Sequence, residues 1–367
     1  MNDLPMPSDV KREVTSSPAS DGGAPPPIEP PSAKLIVQLF VVPLVIVALA
    51  VGIMFLIGLF AGAGSSPSFE RALDRLHNPG GERTADLLVG PGSKQRYMDA
   101  KTVADKIMKV GATPEERIKI SDQLIDVLEH NTNDAEGDVR HFLLLALGRA
   151  WQITPSAAQD DSTATAEARQ RAMTALLKFA NEKQVSNQKA AILALAYWAG
   201  RPEVRQAIPM LVTKVKDPAQ DLDVRLAAAT VLGPIATPQD HDVIDALNAA
   251  MRDTDPADVE LVWSSALSLA QLDQKDVADT ILKLLDRKEL SQSKVLDRET
   301  DPKNPTYHSL SDEEQQRILI NTMIGGIKLD VPAVREKIAW LKDNDPSPRV
   351  RAAAEEVLEK PATTRPK

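Results

Sequence analysis

A thirteen-residue run, Asp223-Val-Arg-Leu-Ala-Ala-Ala-Thr-Val-Leu-Gly-Pro-Ile235, returns in altered form five more times along this chain. The other copies start at Asp138, Asn187, Asp258, Gln315 and Arg349. A short helical unit cannot bury its apolar face alone, so repeated units stack on their neighbours and share one continuous core. The expected fold is therefore all-α, a solenoid of about six helical hairpins. Four, five, eight and nine residues after each start, the side chain is apolar in all six copies. The second of these columns reads Leu143, Ile192, Ala228, Trp263, Ile320 and Ala354. Offsets of this kind share one side of an α-helix and define its expected buried face.

The starts lie 49, 36, 35, 57 and 34 residues apart. Three of these intervals accommodate one helix, a turn and a second helix, while the two long ones mark insertions at Thr154–Thr163 and Lys288–Ser311. Pro114-Glu-Glu-Arg opens the first helix of the first pair. Proline there loses no intrahelical hydrogen bond, and the acids complement the helix dipole. Pro202, Pro238, Pro256, Pro332 and Pro346 mark further starts. The predicted pairs run from 114 to 152, 164 to 200, 202 to 236, 238 to 272, 274 to 328 and 331 to 360. A helix at 94–110 is expected to cap the stack.

The flanking segments differ in kind. Residues 1–34 contain eight prolines with Ser, Gly and Asp between them. That composition has too little apolar surface to offset the entropy of ordering, so a disordered Pro-rich tail is expected. Residues 35–61 hold 27 positions without a charge, enough to cross a hydrocarbon core of about 30 Å with tilt. A single transmembrane helix in the lipid bilayer follows. A cleaved signal peptide is the competing reading, but its apolar region is usually only about 7–15 residues. Lysine and arginine flank the span almost equally, and a signal anchor with an extracytoplasmic solenoid is the simplest arrangement. Residues 62–93 read as a linker with a short helix, 94–360 as the solenoid, and 361–367 as a disordered end.

The pattern Asp-Val-Arg-x-x-Ala-Ala-x-x-Leu-Gly resembles the second helix of bacterial HEAT-like repeats, over roughly residues 114–360. The resemblance implies that second helices line the concave side, and that the Asp and basic positions form a polar ladder between units. Here the Asp position holds Asp138, Asn187, Asp223, Asp258, Gln315 and Arg349, and the basic position holds Arg140, Lys189, Arg225, Glu260, Arg317 and Arg351. Glu260 reverses the sign of its column, which suits a cation or a basic partner.

No catalytic, metal or cofactor motif is found. The five histidines show no i, i+4 pair facing one metal. Deoxyhypusine hydroxylase, a HEAT-like enzyme, binds iron through His-Glu dipeptides, and this chain has none. The formal net charge of -9 argues against nucleic acid, including the basic cradle of HEAT-like DNA glycosylases. Phosphate-binding and nucleophile-elbow motifs are missing too. With no cysteine, thiolate chemistry and disulfides are excluded. The reading is that the chain is not an enzyme and takes no cofactor. It is a membrane-anchored scaffold for a protein partner, with a small molecule or glycan as the alternative ligand and an unrecognised enzyme as the third reading. Candidate partner-binding residues are Trp151, Tyr197 and Trp198 at the ends of second helices, either as interface anchors or packed beneath the Thr154–Thr163 insertion. Glu260 joins them, as do Tyr307 and His308 in the Lys288–Ser311 insertion, expected to be a mobile or ligand-gripping loop.

Overall fold

The computed structural model describes residues 69–77, 92–107, 113–130, 132, 137–153, 162–252, 258–297 and 304–359. Two rows of helices run through them. The first helices of the hairpins are α1 (Phe69–His77), α3 (Pro114–His130), α5 (Thr163–Ala180), α7 (Ile208–Lys216), α9 (His241–Met251), α11 (Ala278–Leu284) and α14 (Pro332–Asn344). The second helices are α2 (Gly92–Lys106), α4 (Gly137–Ala150), α6 (Val185–Leu195), α8 (Leu222–Ile235), α10 (Val259–Gln271), α13 (Asp312–Gly326) and α15 (Pro348–Glu359). Each second helix packs on the next, from α2 to α15. Among the described residues no helix is long and apolar enough to cross a membrane. The Pro-rich tail, the predicted span at 35–61, most of 62–93, the 154–161 insertion and the C-terminal residues from 360 lie outside them.

Among the described residues the hairpins number seven, against the expected six or so. The short helix anticipated in the linker is α1, and it packs on both α2 and α3. Phe69, Ala72, Leu73 and Leu76 supply its buried stripe. Charged faces close both ends of the described stack, with Glu70, Arg71 and Asp74 exposed on α1 and Arg349, Glu355 and Glu356 on α15. Terminal repeats need such polar outer faces because no neighbour covers them.

Local signals set the helix ends. Ser162 caps α5 through Thr165 N, and Ser311 and Glu314 form a reciprocal capping box at the start of α13. Pro234 lies inside α8 and cannot donate to Thr230 O, and Ser268 Oγ of α10 donates to the carbonyls there, Ala229 O at 2.7 Å and Thr230 O at 3.5 Å. The glycine of the Leu-Gly motif has a packing reason. A Cβ at Gly148 would lie 2.5 Å from Ala194 O on α6, and one at Gly233 2.9 Å from Ser268 Cα on α10. Small residues at these crossings let neighbouring second helices touch almost backbone to backbone.

The Lys288–Ser311 insertion is not an irregular loop over its described part. It comprises α12 (Arg287–Gln292) and a two-stranded antiparallel ribbon, β1 (Lys294–Leu296) with β2 (Tyr307–Ser309), in which Leu296 opposes Tyr307 and Val295 opposes His308. Arg287 fastens it to the last hairpin. Its Nε and Nη2 donate to Asp345 at 2.7 and 2.9 Å, and its Nη1 donates to Asp312 at 2.8 Å. Lys337 of α14 also reaches Asp286 at 2.8 Å. Beyond the all-α expectation, the described residues thus include a small β element.

Candidate functional site

The second helices begin with a device that explains the basic column of the repeat. Arg140 Nη2 donates to Thr132 O, Arg225 Nε to Val215 O and Arg351 Nη1 to Asp345 O. In each case a cation covers a carbonyl at the end of the preceding first helix, where the macrodipole is negative. In the second copy that role falls to Gln188, whose Nε2 donates to Glu182 O. The residue equivalent to Asp223 is therefore Ser186, one position before the expected Asn187. Lys189 moves out of the basic column and takes the place of Leu226.

A larger shift occurs in α10. Leu261, Ser265, Ser268 and Leu269 are buried there, at the spacing of Val224, Ala228, Val231 and Leu232 in α8. Glu260, not Asp258, thus matches Asp223, and Ser265, not Trp263, occupies the buried column. Trp263 and Ile320 are only half-buried, contrary to the apolar-column expectation. The buried face is formed by other positions of α10.

This register builds a site. A cavity of about 410 Å³ opens on the second-helix row. Asp223, Leu226, Ala227 and Thr230 of α8 line it, and Glu260, Trp263, Ser264 and Leu267 of α10 repeat the same spacing beside them. Lys189 and Leu193 of α6 close one side, and Ile318 and Asn321 of α13 the other. Residues i, i+3, i+4 and i+7 lie on one helical face, so successive helices present matched stripes. Carboxylates stand at the helix starts, with half-buried leucines and Trp263 one or two turns further on. Lys189 Nζ reaches Asp223 Oδ2 at 2.8 Å. His141 of α4 is near enough to Lys189 to feel its charge. Burial pushes its pKa below the ordinary imidazole value, Asp138 opposes this, and Lys189 adds to it. The same face of α4 carries Phe142, which meets Tyr97 of α2 edge-on at 5.3 Å.

The candidate residues separate clearly. Glu260 lines the cavity. Trp151 and Trp198 do not reach the surface, with exposures of 1% and 0%, so their interface role is corrected: they fill the core. Trp151 Nε1 donates to the buried Ser121 Oγ at 3.0 Å. Tyr197 is half-buried and tied to the fold. Arg149 Nε donates to its hydroxyl at 3.0 Å, the guanidinium lies 5.2 Å from its ring centre, and Arg149 Nη1 reaches Ala104 O. This clamp links the ends of α2, α4 and α6. Tyr307 and His308 are in β2, with His308 Nε2 3.4 Å from Glu314 Oε1. They are not brought to the cavity, whose lining includes neither. Trp263 and Leu267 were missed as site residues because an apolar residue in a repeat column reads as core until the register is known, and Lys189 because the uncorrected register placed it in the structural basic column.

Cation–carboxylate pairs join hairpins along this row, although in the observed register Glu182, Lys189 and Asp258 fall outside the Asp and basic columns of the expected ladder. Arg140 meets Glu182 at 3.9 Å, Lys189 meets Asp223, and Arg225 meets Asp258 at 2.7 Å, each pair joining consecutive hairpins.

Residues 173–264 match the family model for HEAT repeats. That stretch is similar to HEAT repeats, and the helical architecture of the described residues is consistent with the likeness. No curated protein matches the chain. Among solved structures, human deoxyhypusine hydroxylase in complex with glycerol is similar at 13% identity and a TM-score of 0.29, over 81% of this chain and 97% of that one. That protein is an enzyme, which overturns the expectation that a chain of this kind is not one. At this TM-score the likeness carries no inference about what this chain does.

Proposed function

We propose that this chain is a helical-repeat scaffold, tethered to a membrane by residues 35–61, that docks a protein partner in the groove across α6, α8 and α10. The observation supporting docking is the matched stripe on α8 and α10, with Trp263 half-exposed at its centre. Large aromatics surrounded by leucine make strong interface anchors once desolvated. The tether rests on the 27 uncharged residues. Placing a photo-crosslinking residue at Ser264 in native membranes tests the docking. Discrete protein adducts are expected there and not from Glu355 on α15. Identical adduct patterns at the two positions would refute it. Resistance of the chain to alkaline carbonate extraction, lost when 35–61 is deleted, tests the tether. A small molecule or glycan is the second reading, because 410 Å³ falls within the roughly 300–1,000 Å³ of ligand pockets.

A further inference from the structure

We infer that the groove takes a partner segment in which a lysine or arginine is flanked by large apolar side chains. This names the partner chemistry for the docking reading above and rests on it. Of the charged side chains lining the cavity, Asp223 and Glu260 are acidic and Lys189 alone is basic. Lys189 reaches Asp223 at 2.8 Å, and the three charged lining residues sum to a net negative charge. The carboxylates belong where they are for a helical reason: both lie in the first turns of α8 and α10 and complement the helix dipoles. The groove inherits an acidic edge from that requirement.

One turn further along α10 the character changes. Trp263 follows Glu260 by three residues and Leu267 by seven, so all three share a face. Leu193, Leu226 and Ile318 supply the adjoining apolar floor. A cation held near Glu260 lies within reach of the Trp263 ring, whose face attracts ammonium and guanidinium groups. Its aliphatic stem can cover the indole at the same time. Neighbouring helix axes lie about 8–10 Å apart, so a segment crossing α6, α8, α10 and α13 spans roughly 25–30 Å. On that path it meets Asp223 and Glu260 at the starts of α8 and α10, beside Lys189 on α6, and an apolar floor further along the helices. An amphipathic segment with basic and large apolar residues satisfies both, whereas an acidic one places like charges together.

The test uses the full-length protein in nanodiscs of zwitterionic lipid, with empty discs subtracted. The probes are three fluorescent twelve-residue peptides with a common leucine pattern, carrying lysine, glutamine or glutamate at the remaining positions. The lysine peptide should bind tightest and the glutamate peptide weakest. Glu260→Gln should weaken the lysine peptide about 10-fold, the loss of one charge-assisted contact worth about 1.4 kcal/mol. Glu355→Gln, which removes an exposed carboxylate on α15, should leave affinity within about twofold if only local charge matters. Trp263→Phe should weaken the lysine peptide while preserving the helical circular dichroism. Equal binding of the three peptides, equal effects of Glu260→Gln and Glu355→Gln, or no binding at all would each overturn the inference. Partner adducts at Ser264 that persist alongside tighter glutamate-peptide binding would sink this partner chemistry while leaving the docking reading intact.

Discussion

Gly148→Ala should destabilise the stack, although alanine is the better helix former. Gly148 lies inside α4, where replacing glycine by alanine gains about 0.8–1 kcal/mol from propensity alone. The new Cβ would sit 2.5 Å from Ala194 O, 2.9 Å from Ala194 Cβ and 3.0 Å from Ala194 Cα. No side-chain rotation relieves a clash with backbone, so α4 and α6 must separate by nearly 1 Å in a core packed like a crystal. Overpacking costs about 1–3 kcal/mol, and a backbone clash belongs in the upper half of that range. The net effect is a loss of about 1–2 kcal/mol, opposite in sign to the propensity term. Repeat arrays need not unfold in one step, so local hydrogen exchange of α4 and α6 is the suitable assay. Gly325→Ala is the internal control, because its nearest neighbour is a leucine methyl at 3.3 Å. Exchange should quicken for Gly148→Ala and change little, or slow, for Gly325→Ala. If Gly148→Ala protects α4, the close-approach explanation of the Leu-Gly motif is wrong.

Trp198→Ala should cost about 3–5 kcal/mol and unfold the α5–α6 region by circular dichroism, as expected for a large core aromatic. Tyr197→Phe should cost no more than about 1.5–3 kcal/mol, the range for a hydrogen bond to a charged group such as Arg149. Arg287→Ala leaves Asp345, whose side chain is 1% exposed, without its paired donor, and should destabilise α14 and α15 by about 3 kcal/mol or more, read by their exchange rates. Acid should loosen the same end of the molecule. The hydrogen bond from Lys337 holds Asp286 below the ordinary carboxylate value, and hydrogen bonds from Ser311 do the same for Glu314. Folded pKa values depressed in this way give stability that is complete above the unfolded value, near pH 4, and that falls as pH drops through the folded values. Asp286→Asn should flatten that fall in a pH series of thermal unfolding, and an unchanged profile would refute the assignment.

The solenoid was legible because its signal is written many times. Apolar spacing, proline at helix starts and the Leu-Gly motif each recur, and stacking turns recurrence into architecture. The first hairpin was harder to see, since α1 and α2 carry no copy of the Asp-Val-Arg motif and are recognisable only from the core they share. The ribbon at 294–309 was hidden for another reason. Its strands are three residues long, too short for an alternating pattern, and depend on Arg287 and Asp345 for their place. Trp151 and Trp198 misled because an aromatic in a column of small residues suggests a surface anchor. Both rings are in fact buried in the core, and Trp151 reaches Ser121 on α3 of its own hairpin.

Register decides the rest. The dipeptide Asp258-Val259 copies Asp223-Val224 and invites alignment of the two, yet burial places Glu260 opposite Asp223. The mismatch separates two jobs that one column would otherwise share. Arg225 and Asp258 are 10% and 12% exposed at their side chains, and breaking such a buried pair leaves an uncompensated charge at a cost of about 3–5 kcal/mol. Lys189 and Asp223 are 42% and 27% exposed, and a pair so open to solvent contributes about 0–1 kcal/mol. The first pair therefore staples hairpins together and cannot be lent to a ligand. The second can exchange partners at little cost to the fold, and it lies in the groove beside Glu260. Lys189→Gln should leave unfolding unchanged within about 1 kcal/mol while tightening binding of the lysine peptide, because it removes the one basic residue of the lining. Weaker binding by that variant would place Lys189 among the groups that hold the partner and reverse the assigned charge of the occupant.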